Sequence, residues 1–425
     1  IFHFKMELEG RNSVKEIGAA ILILRREKRS VPGNRTFTAR QLRMGSRSLR
    51  GRHATVRRWL SHSIAGFAML PAVTDDSLSS PDDPPPTTHR RRPRYSGKNP
   101  RRFEDKYKEH DPARHGDTVA KVLASGKTPA GTHRPIMVAE ILEALAARPG
   151  EAAVDCTLGY GGHARELMAR IQPGGRLIGL DADPIELTRT ESRLREAGHG
   201  PEVFTTVRSN FAGLPRALAG AGLTGADCIL ADLGLSSMQI DDPSRGFSTK
   251  GDGPLDMRMN PQRGQPASAL LQKLTAADMA ELLVENADEP RANELAALLA
   301  GRSFARTSEL AQAIRDGSPG LGRDEADRTT RRVFQALRIA VNDEFSALDM
   351  FLRCLPNCLN PGGRVAILTF HSGEDRRVKK SFQAGLRENT YEKIARDVIR
   401  PSSEERRENP RSSSAKLRWA TKASS

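Results

Sequence analysis

From His133 onward the apolar positions of the chain follow two alternating rhythms. Short apolar runs at 152–155, 176–181, 203–208 and 226–231 predict strands. The stretches between them, near 162–170, 184–197 and 211–219, carry helical spacing, as does Ile136–Leu145 ahead of the first strand. This alternation predicts a parallel, doubly wound α/β sheet. The rhythm stops at Asp241. From there to about Gly322 no strand pattern occurs. A Gly/Pro-rich loop, Arg245–Pro266, leads into helical stretches at Ala276–Asn286, Arg291–Leu299 and Ser308–Ile314. A longer helix is expected over Arg328–Leu355, and a strand pattern returns at Arg364–Thr369 after Pro361-Gly362-Gly363. The reading is an α/β domain in two parts, 131–240 and 328–425, with an all-helical domain, 241–327, inserted between them.

Ahead of the periodic region the pattern dissolves. Between Glu27 and Asp75 there is no acidic residue, and Arg and Ser abound, the composition of an organellar transit peptide. Translated upstream sequence explains it equally well. The chain begins at Ile1 rather than Met, as a fragment or an over-extended gene reading would. Residues 75–100 are rich in Pro, Ser and Arg, so 1–100 reads as a disordered basic leader. Residues 101–130 read as a charged extension with one short helix, Thr118–Leu123. The longest apolar runs, Ala19–Leu24 and Ile64–Val73, are too short to span a bilayer.

Charge adds a partner class. The chain of 425 residues carries a net +15, unevenly spread. Residues 1–100 hold +12 and 376–425 hold +8, leaving 101–375 at −5. A mildly acidic body with basic ends suits a polyanion, most simply nucleic acid; solvated tails are the bland reading. The four cysteines lack zinc-ligand grouping, so no metal is expected, and their sparseness fits a reduced compartment. The cytoplasm is the expected location, or an organelle matrix if the leader is a transit peptide.

The chemistry gathers in residues 152–181, AAVDCTLGYGGHARELMARIQPGGRLIGLD. This is strand, glycine turn, helix, strand and terminal acid. Glycines let backbone approach a ligand closely, and Asp181, 20 residues after Gly161, is placed to accept both hydroxyls of a ribose. The third glycine of a dinucleotide fingerprint is missing. That favours a nucleoside ligand without a diphosphate, such as S-adenosylmethionine, over NAD. Ligands in open α/β sheets sit beyond the carboxyl ends of the strands. Gly159–His163, Asp181, Asn210-Phe211, Asp232-Leu233-Gly234 and Phe370-His371-Ser372 all fall at such ends.

Nine segments make a resemblance specific: HRPIMVAEILEAL, VDCTLGYGGHA, GRLIGLDADP, DLGLSSMQID, RGFS, DGPLDMRM, RRVFQALRIAVNDE, FHSGEDRRVKK and NPRSSSAKLR, in this order. Over residues 131–422 the chain resembles the bacterial family of ribosomal RNA small subunit methyltransferase H, also called MraW. The resemblance implies a Rossmann-like methyltransferase domain with a helical insert for substrate recognition. It implies S-adenosylmethionine-dependent methylation of N4 of a single decoding-centre cytidine in 16S rRNA, within the small ribosomal subunit. It further implies cofactor contacts from Gly161, Gly162, His163, Asp181, Phe211, Asp232 and Gln239. Two positions depart from the family pattern. Gly373 replaces a usual leucine, which is expected to loosen packing, and Met238 stands where proline is common.

For chemistry on an exocyclic amine, Asp232 is the expected catalytic acceptor, with Ser236 and Ser237 beside it. His371 is the candidate base, or else a residue that orients substrate or phosphate. Phe247 and Phe370 are candidates to clamp the base. Arg245, Arg258, Arg331, Arg376, Arg377, Lys379, Lys380, Arg411, Lys416 and Arg418 are candidate RNA contacts; a solvated helix face is the bland reading of 376–380. Competing functions are a noncatalytic ribosome-assembly or RNA-binding protein, a methyltransferase on DNA or protein, and an NAD dehydrogenase.

Overall fold

The computed structural model describes residues 135–424. The leader, the extension at 101–130 and the helix expected at Thr118–Leu123 lie outside them.

The chain opens with α1 (Val138–Leu145), then alternates β1 (Ala152–Asp155), α2 (Gly162–Ile171), β2 (Arg176–Asp181), α3 (Pro184–Glu196), β3 (Phe204–Arg208), α4 (Leu214–Gly220) and β4 (Ala226–Asp232). A short α5 (Ser237–Asp241) begins a helical excursion. It continues through α6 (Ala267–Lys273), α7 (Ala276–Ala287), α8 (Ala292–Leu299), α9 (Thr307–Asp316) and α10 (Arg323–Asn342). Then come α11 (Glu344–Cys358), β5 (Leu359–Thr369), α12 (Ser372–Arg387), β6 (Tyr391–Ile394), α13 (Ser403–Glu408) and β7 (Lys416–Lys422).

The strands form one seven-stranded sheet in the order β3-β2-β1-β4-β5-β7-β6. The first five are parallel; β7 runs antiparallel to both β5 and β6. The strand order reverses direction between β1 and β4, which opens a crevice at their carboxyl ends.

Alternation along the strands divides the core. Ile229 and Ala231 of β4 and Val365 and Ile367 of β5 face α4, α11 and α12. Cys228, Leu230, Ala366 and Leu368 face α1, α2 and α3. Both faces are covered, so the strands read as nearly continuous apolar runs. A third core holds Leu255, Met279, Leu283, Leu295, Leu310, Ile314, Val333, Phe334 and Leu337. It joins α6–α9 to α10, so α10 packs with the helical excursion while α11 packs on the sheet.

The single helix expected over 328–355 is two. Asp343 adopts a left-handed conformation, φ 50°, and both ends α10 and precedes α11. Asp tolerates that region better than most residues. Asn342 anchors the break: its Oδ1 accepts from Met259 N–H (2.7 Å), and its Nδ2 donates to the Met257 carbonyl (2.8 Å). Across the break the Arg338 guanidinium makes two 2.8 Å bonds to the Glu344 carboxylate. Strands β6 and β7 have no counterpart in the sequence reading. They are amphipathic, lysine-bearing segments such as KLRWATK, which polar composition disguises.

Candidate active site

One cleft of about 1080 Å³ runs along the carboxyl ends of the central strands. The sheet supplies one wall: Gly159, Gly162, His163, Asp181, Phe211, Asp232 and Gln239. The opposite wall combines residues 258–264, the α10–α11 junction at Arg338 and Phe345, and the segment 409–414.

The β1–α2 turn needs its glycines for two reasons. Gly161 sits at φ 78°, and a Cβ there would meet Thr190 Cγ2 at 2.8 Å. A Cβ on Gly162 would meet Pro135 Cγ at 2.4 Å. Gly161 is buried against α3 and is not among the lining residues, so part of the glycine requirement is close packing.

Asp181 ends β2 with both carboxylate oxygens aimed by backbone. Gly159 N–H donates to Oδ2 (2.7 Å) and Asp183 N–H to Oδ1 (2.8 Å). Each oxygen keeps a lone pair for a ribose hydroxyl. Burial pushes this carboxyl up to about 7, against the pull of those two amides. Phe211 lines the cleft with its ring edge-to-face on Phe351, centroids 5.6 Å apart.

Gln239 is held rather than free. Its Nε2 donates to Asp183 Oδ2 (2.9 Å), and its Oε1 accepts from Ser236 N–H (3.0 Å) in a capping box at α5. Ser236, Ser237 and the buried Met238 line the cleft on the same turn.

Asp232 ends β4, its N–H donating to Thr157 Oγ1 (2.6 Å). Its Oδ2 stands 3.6 Å from His163 Nε2. Asp155, which sequence reasoning missed, is buried one strand away. Burial pushes its carboxyl up to about 6, with the His163 charge opposing.

His371 is not among the cleft-lining residues, but its neighbours Phe345, Phe370 and Glu374 are. Its Nε2 lies 3.1 Å from Glu374 Oε1, and its ring tilts against Phe345 at 5.7 Å. Burial raises the Glu374 carboxyl, but His371 and Arg338 outweigh it and hold the group below the usual range. Glu344, His371 and Glu374 form the one metal-like grouping found among the described residues. Arg338 already takes both Glu344 oxygens, and the Phe370 amide takes one of Glu374.

Gly373 is filled rather than loose. A Cβ there would meet Phe345 Cζ at 2.6 Å, so the phenyl ring occupies the space that the usual leucine would. Phe370 lines the cleft; Phe247 instead packs on the helical core, under the Arg245 guanidinium.

The ten expected RNA contacts divide. Arg258 and Arg411 line the cleft, paired with Asp256 and Asp241. Arg331, Arg376, Lys379 and Lys380 are exposed, and Arg377 lies over the Phe345 ring at 3.6 Å. Arg245 is withdrawn into a buried pair with Asp183 (2.7 Å). Arg418 and Lys416 both face Asp375. Those three hold the fold together, because burying an arginine demands a carboxylate partner. Arg208, Arg216, Arg263 and Arg338 line the cleft and were not foreseen. Arg208 was findable, since it ends β3 at the same rim.

Comparison with known proteins fits this geometry. A profile of the MraW methylase family matches residues 130–423. The chain belongs to the MraW methylase family. The ribosomal RNA small subunit methyltransferase H 1 of Lachnoclostridium phytofermentans is 47% identical over 344 residues, covering 79% of this chain and 93% of that one. The methyltransferase H 2 of Alkaliphilus metalliredigens is 48% identical over 342 residues, 78% and 97% of the two chains. Among solved structures, TrmN from Thermus thermophilus aligns over 73% of this chain and 52% of its own at 16% identity, TM-score 0.32. The protein is a methyltransferase of the Rossmann-like class, and its cofactor is S-adenosylmethionine. The donor set suits that molecule: a carboxylate for the ribose, an aromatic ring for the adenine and a glycine turn for the methionine chain.

Proposed function

We propose that the protein methylates N4 of a single cytidine in the decoding centre of small-subunit ribosomal RNA, acting on the assembled or nearly assembled subunit in the cytoplasm. One observation carries this reading: a single cleft joins a nucleoside-binding wall to a second wall bearing Arg258, Arg263, Arg338 and Arg411. The relatives named above are called ribosomal RNA small subunit methyltransferases, which supports the same substrate class.

The cofactor supplies a sulfonium methyl already activated for displacement. Asp181 would hold the ribose, Phe211 the adenine face, and Gly162 with His163 the methionine chain. Positioning and water exclusion then fall to the protein. The N4 lone pair of cytosine is delocalised into the ring. An acceptor holding the amino hydrogens favours a more nucleophilic geometry. Asp232 stands at the strand end where that amine would arrive, with Ser236 and Ser237 on the following turn. Phe370, just beyond the adjacent β5, would pack on the base. The target base must be unpaired or turned out to enter the cleft. The helices from α6 to α10 would form the substrate-recognition domain, with Arg258, Arg331, Arg376, Arg377, Lys379, Lys380 and Arg411 facing phosphates.

The experiment is parallel methyl transfer from labelled S-adenosylmethionine to immature small subunits, free 16S rRNA, DNA and protein. Mass spectrometry should place one N4-methyl on one cytidine of the subunit. Label appearing on DNA or protein instead would overturn the reading.

A further inference from the structure

His163 is built into the wall of the cleft in a way cofactor binding alone does not explain. It lies in the first turn of α2, and its side chain is only 9% exposed. Its Nε2 faces Asp232 Oδ2 at 3.6 Å, an ion-pair distance too long for a hydrogen bond, and it makes no hydrogen bond to another protein group. Asp155, fully buried on β1, lies within electrostatic reach of His163, which favours its ionised form. Thr157 ties the two strand ends together. Its N–H donates to Asp155 Oδ1 (3.1 Å), and its Oγ1 accepts from Asp232 N–H (2.6 Å). The imidazole therefore faces a cleft-lining carboxylate, whose strand end Thr157 ties to that of a buried one. The ionisable groups that act on Asp155 are His163, Asp232 and, from β2, Asp181.

We propose that Asp232 and His163 form a proton exit: Asp232 takes the proton released by the methylated amine and passes it to His163 Nε2, with Asp155 as the positioning residue that supports the imidazolium from the buried side. This rests on the amine-methylation reading above. The balance is simple. The N4 lone pair bonds to the methyl carbon, and the carbon–sulfur bond breaks with its electron pair leaving on sulfur. N4 is left positively charged with two protons. One moves to Asp232 Oδ2, which as a hydroxyl becomes a donor toward Nε2 and closes the 3.6 Å gap. The proton settles on the ring as Asp232 returns to its ionised form. The orphaned nitrogen is then an acceptor waiting for this step.

Two measurements on the full-length chain test it. The first needs no cofactor or substrate: a nuclear magnetic resonance titration of labelled histidine, with His163→Gln assigning the signal. The His163 midpoint should fall from its wild-type value in both Asp155→Asn and Asp232→Asn. A midpoint indifferent to both carboxylates overturns the proposal. If Asp155→Asn does not fold, Asp232→Asn decides, and a midpoint unmoved there overturns the proposal. The second is the pH profile of kcat on immature subunits. Asp155→Asn and His163→Gln should lower kcat about tenfold and move its acid limb, with KM for the subunit unchanged. An unmoved profile alongside weaker cofactor binding would reduce both residues to a structural role. If the wild type transfers no methyl to subunits, the amine-methylation reading falls and the relay with it. Transfer with an unmoved profile removes the relay alone.

Discussion

The two walls of the cleft are held in place by different means. On the sheet wall, the Asp181 carboxylate is fixed by two backbone amides and the Asp232 backbone N–H by the Thr157 hydroxyl. On the opposite wall the residues are fixed by ion pairs between side chains: Arg258 with Asp256, Arg338 with Glu344, Arg411 with Asp241. Backbone-fixed groups are set by topology, so they are preorganised for a ligand of constant shape. Arg258 and Arg411 keep part of their side chains open to solvent, where a phosphate can compete for them, whereas Arg338 and Glu344 are the most enclosed of the three pairs. The difference suits a site that reads one small cofactor rigidly and one large polyanion adaptively.

The largest effect should come from the group at the meeting point of the walls. Asp232→Ala is expected to lower kcat at least about 100-fold, the scale of a lost general-base or charge-stabilising group. Single-turnover methyl transfer measures it. A loss confined to cofactor affinity would move Asp232 wholly to the sheet wall and break the division.

Next comes the sheet wall itself. Asp181→Ala should weaken S-adenosylmethionine by about 1.5–3 kcal/mol, the scale of hydrogen bonds to a charged group. The pH dependence sharpens the test. With its carboxyl held near 7, Asp181 is mostly protonated at pH 6 and ionised at pH 8. The ionised form accepts from both hydroxyls and attracts a cationic ligand. Calorimetric affinity should therefore rise from pH 6 to pH 8 and stay flat in Asp181→Asn. Unchanged affinity in either variant would remove Asp181 from the site.

How much of this was legible in the sequence follows the same divide. The first four strands and the residues at their ends could be read from apolar runs and turn chemistry, because both depend on neighbours in sequence. Asp155 was passed over as a strand residue, although it ends β1 as Asp181 ends β2. The basic residues depend on pairs far apart in the chain: Arg245 with Asp183, Arg411 with Asp241, Arg418 with Asp375. Periodicity has no signal for which arginine finds a buried carboxylate. Arg245 and Arg418 therefore looked like RNA contacts. The break at Asp343 was hidden for a related reason, since both flanking segments are good helices and only the long-range bonds of Asn342 locate the kink.

A smaller effect probes the adaptive wall. Arg258→Ala should leave cofactor affinity unchanged and weaken RNA binding. It should also reduce the salt slope of log affinity by about 0.7, the value for one single-strand phosphate contact. Arg418→Ala should leave the slope alone and lower stability instead, because it leaves Asp375 only its longer contact with Lys416. Equal slopes in wild type and Arg258→Ala would mean that Arg258 keeps its pair with Asp256 when RNA is bound.

The smallest effect concerns Gly373, where the two walls share packing. The residue is buried at the start of α12, and a Cβ would meet Phe345 Cζ at 2.6 Å and Cε1 at 3.3 Å. Gly373→Ala removes a helix penalty of roughly 0.5–1 kcal/mol. Against that stands overpacking, typically about 1–3 kcal/mol. Phe345 has little room to yield, since it is buried with Arg377 over its face and His371 against its edge region. Net destabilisation of about 1 kcal/mol should follow, a fall of roughly 2–4 °C in Tm for a domain of this size. Cofactor affinity should not move, because Phe345 belongs to the opposite wall. Methyl transfer should drop modestly as the ring shifts into the cleft. An unchanged Tm would show that the ring repacks freely, and Phe345 could then not be what fixes His371 beside Glu374.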